Sequence, residues 1–237
     1  NLGILKNIGF IKASEKSDGK SYYVLSDVDL LPSNELLKDY LKYPDTPIHL
    51  GNKGTRYIGN ADSFLGGVLS VNKEDFLKSN GYPNNFWGWG GEDDALKRRL
   101  DRNDIKIQRP EGSAIDLEEL SLDEKLSDLK ANESKEYLKK EKLDQDKIDW
   151  SNNGLNKIDH LYKIYSEEQY GGSDNVSHYK VYLKAFDTDK FPESQKSSDS
   201  IANVSDKESG QQSSQQSSQQ SSPGSSQGPS QGPSQQS

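Results

Sequence analysis

From Ser194 to Ser237 the chain contains only three residues of the hydrophobic set, Ile201, Ala202 and Val204. Repeats of Gln-Gln-Ser-Ser and then Gly-Pro-Ser-Gln fill that stretch, and such a composition cannot bury enough apolar surface to offset the entropy of ordering. The sequence therefore predicts a disordered tail over 194–237, and a fold must come from what precedes it. Across all 237 residues the hydrophobic share is 30%. Without the tail it rises to about 35% before glycine is counted, enough for one core.

The same arithmetic narrows the function. Thirty Lys and Arg face 38 Asp and Glu, for a net charge of −8, which is not the basic footprint of a nucleic-acid binder. No apolar run approaches ~18 residues, so no membrane span is expected, and no signal-peptide pattern opens the chain. The absence of cysteine excludes disulfides, thiolate metal sites and a cysteine nucleophile; it leans towards a reducing compartment and leaves a cytoplasmic location open. With Asn1 first and no methionine anywhere, the chain reads as a processed or excised fragment.

Residues 1–110 mix apolar runs, glycines and turn residues in the manner of an α/β unit. Tyr22-Tyr23-Val24-Leu25 reads as a buried strand that ends in Asp27-Val28-Asp29. A second strand is expected over 67–71. A short helix follows it, with Asn72 as N-cap and Gly81 at the C′ position. Residues 95–100 form a helix core, and Ile105-Lys106-Ile107 alternates like a strand. Residues 111–149 are charge-dense, with Leu122, Leu126 and Leu129 on one helical face, and predict an amphipathic helical segment resting on the body, a lid or a partner surface. Residues 150–193 return to aromatic and β-branched content, with Asn153-Gly154 as a turn and a strand from Tyr162 to Tyr165.

Two strings carry chemistry. Asp27-Val28-Asp29 sits at the carboxyl end of an apolar strand, where open α/β sheets bind ligands, and an oxygen donor there suits a hard cation bridging a diphosphate. A turn rich in Asp for its backbone hydrogen bonds is the equal alternative. Asn84-Asn85-Phe86-Trp87-Gly88-Trp89-Gly90-Gly91-Glu92-Asp93-Asp94 is less ordinary. Its glycines allow close backbone approach, its indoles suit the apolar face of a sugar ring, and three carboxylates open a helix. Acids at a helix N-terminus complement the macrodipole, but that does not account for Trp-Gly-Trp-Gly-Gly in front of them.

Taken with Ser26-Asp27-Val28-Asp29-Leu30-Leu31-Pro32 and Phe64-Leu65-Gly66-Gly67-Val68, this string resembles the β-1,4-galactosyltransferase family. The opening residues 1–10, Arg109-Pro110 and Gly154-Leu155-Asn156 are similar to its other landmarks. The resemblance implies a GT-A-like mixed sheet with flanking helices and an inverting transferase using a UDP-sugar donor, Mn²⁺ (or Mg²⁺) and a glycan or glycoprotein acceptor. In that reading Asp29 holds the metal, and Asp93, kept ionised at neutral pH by its helix, is the general base beside Glu92. Trp89 lines the site, with Gly90, Gly91 and Asp94 next to it; Asp27, Phe64 and Lys53 are further candidate substrate contacts.

The sequence departs from the family at four points. No histidine follows Arg109-Pro110 at the expected distance, and Glu119 is the candidate replacement ligand. Phe64 leaves galactose and N-acetylgalactosamine both open as donor sugars. Leu2 stands where the family has an arginine near the nucleotide, and the family's upstream uracil-binding strand is missing from the fold. His49, His160 and His178 are expected to be structural or surface residues. The family suggests a Golgi-type secretory location. A protein of the same fold that binds sugar without turnover is the alternative reading.

Overall fold

The central sheet is built around its most apolar strand. In the computed structural model, which describes residues 1–17, 19–55, 65–118, 121, 123–124, 127, 139–170 and 176–184, strand β4 (Val68–Asn72) is buried at all five positions. It lies between β1 (Tyr22–Ser26) and β3 (Ile48–His49), antiparallel to both. A parallel bridge from Ile48 to Gln108 makes the arrangement mixed. Gln108 serves that edge through its backbone, and its side-chain amide donates to Thr46 Oγ1 at 3.0 Å. The expected strand at 105–107 is therefore a single bridge, with Gln108 N–H donating to Pro47 O and its carbonyl accepting from His49 N–H.

Helix α1 (Leu2–Glu15) begins at Asn1, whose side chain accepts from Ile4 N–H at 3.0 Å. Its Phe10 packs against Tyr23 of β1 and Phe76 of α3 (Lys73–Lys78), each with ring centroids 4.6 Å apart. Leu69, Leu96 and Leu100 complete this core. Full burial of such side chains contributes about 1.5–3 kcal/mol each. Asn72 caps α3 as expected, accepting from Asp75 N–H at 2.7 Å. The other end differs from expectation. Asn80, at φ 58°, takes the left-handed C′ position, and Gly81 follows it. Gly81 N–H reaches Phe76 O and Asn80 N–H reaches Leu77 O, a Schellman closure.

Helix α4 (Glu92–Arg102) starts from Gly91 at φ +101°. A Cβ there would lie 2.6 Å from the Phe86 ring, so only glycine fits. Residues 111–149 are not wholly helical. Strand β5 (Ala114–Asp116) pairs with β2 (Leu30–Pro32), placing Asp116 opposite Leu30. Only 139–149, helix α5, is helical among the described residues of the segment, besides isolated positions. It packs on α4 through Leu143, which meets Phe86 and Ala95. Leu122, Leu126 and Leu129 lie outside the described residues, as does the tail. Strands β6 (Tyr162–Gln169) and β7 (Ser177–Leu183) form a separate antiparallel hairpin. Short helix α2 (Leu37–Tyr40) precedes β3.

Candidate functional site

Strand β1 ends at Ser26, and the turn that follows carries Asp27 and Asp29 to the rim of a cavity of about 210 Å³. Both carboxylates line the cavity. The opposite wall is the entry to α4: Trp89, Gly90 and Gly91, then Glu92, Asp93 and Asp94. The β2–β5 pairing adds Asp116 and Glu118. Leu117 N–H donates to Asp29 O at 2.8 Å, which ties the two acidic turns together. Seven carboxylates thus face one lysine, Lys139, among the described lining residues. Lys139 pairs with Asp94 at 2.8 Å.

Beneath this floor lies a second cation. Lys6 of α1 is 8% exposed, and its Nζ stands 3.0 Å from Asp27 Oδ1 and 3.9 Å from Asp93 Oδ1. Burial works against its charge, yet the charges of Tyr82, Asp93 and Asp27 more than offset this and raise the ammonium above its usual range. Asp93 moves the other way from the sequence expectation. Burial pushes it up to about 7, against the pull of Lys6 and with the further push of Glu92, Asp27 and Asp94. The helix N-terminus does not keep it fully ionised, because burial and neighbouring carboxylates exceed the dipole, worth about 0.3–1 kcal/mol. Burial raises Glu92 as well. Asp27 Oδ1 is engaged by Lys6, whereas Asp93 Oδ1 and the hydroxyl of Thr55 are buried without a hydrogen-bond partner, and all three residues line the cavity. These are groups held ready for something that enters.

Comparison with known proteins shows what this chain is similar to. A family model described as the N-terminal domain of galactosyltransferase matches residues 46–121. Mouse β-1,4-galactosyltransferase 4 is 40% identical over 112 residues, 46% of this chain and 32% of the relative. Human β-1,4-galactosyltransferase 7 is 37% identical over 113 residues, 47% of this chain and 33% of the relative. A crystal structure of a Drosophila β-1,4-galactosyltransferase 7 mutant in complex with manganese, UDP-Gal and xylobiose aligns with a TM-score of 0.60. The alignment has 27% identity over 78% of this chain and 75% of that one. Over a little less than half of its length this chain is similar to the β-1,4-galactosyltransferases. It spans about a third of the length of the curated relatives it matches.

Against this likeness, the predicted residues divide. Asp27, Asp29, Trp89, Gly90, Gly91, Glu92, Asp93 and Asp94 meet at one cavity. Lys53 does not: it pairs with Glu111, away from the cavity lining. Phe64 and Glu119 lie outside the described residues. His49 is fully buried in β3, where Nε2–H donates to Gly66 O at 2.8 Å and Nδ1 accepts from Arg109. Burial, and then the Arg109 charge, lower it to about 4 against the Gly66 bond, a neutral structural histidine as expected. His160 and His178 are exposed.

A manganese site was the sequence's boldest inorganic expectation. Oxygen donors of the right kind are present, yet among the described residues no three metal-ligating side chains converge. Asp29 with its described neighbours does not by itself make a cation site. No described helix is long and apolar enough to cross a membrane. Sequence reasoning missed Lys6, Thr55, Asp116, Glu118 and Lys139. The alternation Ala114-Ile115-Asp116-Leu117-Glu118 was the available signal for two of them, a period-two pattern inside a charge-rich stretch.

Proposed function

We propose that the cavity transfers galactose from UDP-galactose to a glycan hydroxyl with inversion, with Asp93 as general base. The acceptor oxygen attacks the anomeric carbon while the bond from that carbon to UDP breaks, and its electron pair leaves with UDP. Asp93 takes the hydroxyl proton. The observation that carries this reading is the Asp93 carboxylate itself, lining the cavity with a buried oxygen lacking a hydrogen-bond partner. Its pKa near 7 suits a base at neutral pH, where capture of a proton and the supply of ionised base are both favourable. The UDP-Gal and xylobiose of the Drosophila structure support the donor and the acceptor class. Glu92 and Asp94 sit on either side of the base. Trp89 supplies an aromatic face suited to an acceptor ring.

A sugar-binding protein without turnover is the second reading, and the surplus of carboxylates favours it, since they repel a diphosphate that brings no cation. UDP release decides between the two. With UDP-galactose, Mn²⁺ and a xyloside acceptor, the transferase reading expects turnover whose kcat/KM rises with pH through a midpoint near 7. UDP-galactose binding by calorimetry with no UDP release at any pH between 5 and 9 replaces it with the second reading.

A further inference from the structure

Lysine on a surface helix ordinarily reaches water, but Lys6 is directed inwards. Leu2, one helical turn earlier on the same face of α1, lines the cavity. The next residue along, Asn7, pins this part of the helix: its side chain donates to Tyr82 O at 2.8 Å and accepts from Tyr82 N–H at 2.9 Å. The Lys6 stem therefore leaves a fixed backbone, and its ammonium lies 5.4 Å from the centre of the Tyr82 ring. From there it reaches two carboxylates of different origin, Asp27 beyond β1 and Asp93 on α4. An apolar side chain would fill such a core position at lower desolvation cost.

We propose that Lys6 is the positioning residue of the catalytic base, an ammonium that holds Asp93 in its ionisable state and fixes the carboxylate relative to Asp27. The inference rests on the transferase reading for its consequence in turnover, but the hold on Asp93 is a property of this chain alone. The groups facing Asp93 are few. Helix α1 contributes Lys6, the end of β1 contributes Asp27, the loop before α4 contributes Tyr82, and α4 contributes Glu92 and Asp94. Helix α5 contributes Lys139, which is already engaged by Asp94. Three carboxylates oppose ionisation of Asp93, and Lys6 is the cation that favours it. Without Lys6 the base would be protonated at neutral pH. A purely structural ion pair would hold the helix to the sheet yet need not set that titration.

The test is the Asp93 carboxyl titration, read by carbon NMR of the full chain labelled at aspartate and assigned by its loss in Asp93→Asn. Lys6→Met should raise the midpoint by roughly 1–3 pH units, the usual effect of one opposite charge at this range. Lys6→Arg should keep it near the wild-type value. Lys6→Gln, which removes the charge but keeps a polar tip, should raise it likewise and serves as the decisive variant where Lys6→Met does not fold. An unmoved midpoint in folded Lys6→Met or Lys6→Gln overturns the proposal. In UDP release the acid limb of kcat/KM in Lys6→Met should shift upwards with the titration. Wild type releasing no UDP defeats the transferase reading while the titration still decides the role of Lys6.

Discussion

Among the buried cations of the described residues, Arg99 and Lys6 both sit beside α4, and their surroundings treat them differently. Arg99 is 1% exposed and its guanidinium is saturated. It donates to both carboxylate oxygens of Asp146, at 3.2 and 2.5 Å, and to the carbonyls of Asn80, Gly81 and Asn153. Lys6 engages Asp27 and faces Asp93, whose nearest oxygen remains without a hydrogen bond. The first network leaves nothing to bind and joins α4, α5 and the 150s into one body. The second is under-satisfied on the side that opens to the cavity. Buried charge that is fully paired specifies structure; buried charge with spare acceptors retains chemistry.

Removing Arg99 gives the largest expected effect. Arg99→Met leaves Asp146 charged, buried and unpaired, and should cost about 3–5 kcal/mol, a large part of a typical 5–15 kcal/mol total. Urea unfolding measures it, and a loss below about 1 kcal/mol would erase the distinction between the two networks. Asp93→Asn should do the reverse. Turnover should fall about 10²–10⁴-fold, while the melting temperature stays level or rises, because a carboxylate with no hydrogen-bond partner is gone. A melt that drops along with turnover would place Asp93 in the scaffold.

The pH dependence of stability sharpens the contrast further, with a smaller effect. His49 titrates near 4 in the fold against 6.5 in the unfolded chain. The unfolded chain binds more protons in that window, so this contribution is present above pH 6.5 and lost as pH falls towards 4. Asp93 titrates near 7 against 3.8 unfolded. Here the folded chain binds more protons, so stability declines as pH rises from about 4 through 7. The two oppose each other between pH 4 and 6.5. Asp93→Asn should therefore give stability that rises with pH across that window more steeply than wild type, and His49→Asn should give the opposite tilt. Thermal melts of both variants at pH 4.5 and 6.5 check the signs.

What could be read in advance followed local, strongly patterned signals. The Asn72 cap, the start of α4 and the gathering of Trp89 to Asp94 all lie in short strings whose chemistry is self-contained. Helix α1 was not legible as a helix, because Gly3, Lys6 and Asn7 are all buried and interrupt the apolar stripe of Ile4, Ile8 and Phe10. Those interruptions exist for tertiary reasons: Asn7 serves Tyr82, and Lys6 serves the carboxylates. Strand β5 escaped notice because three residues in a charged stretch gain their identity from β2, which is remote in sequence. Asn80 took the place given to Gly81 for a similar reason. Its side chain is held by Trp150 O and Asn156, which a reading confined to one helix end does not see.

Asparagine does the joining where strands do not reach. Asn80 and Asn153 each precede a glycine, the pairing in which the following amide nitrogen most readily attacks the side-chain carbonyl, expels ammonia and leaves aspartate or isoaspartate. In this fold that attack is blocked. Gly81 N–H is committed to Phe76 O, and the Asn80 amide is gripped at its oxygen by Asn156 N–H and at its nitrogen by Trp150 O. Asn153 is held likewise between Asn84 N–H and Asn85. Gly154 lies so close to Asn80 that a Cβ would sit 2.1 Å from its carbonyl oxygen. The same contacts that close the C-terminal segment onto the core therefore also slow its chemical ageing, and the shelf life of the molecule becomes a measure of how seldom it opens.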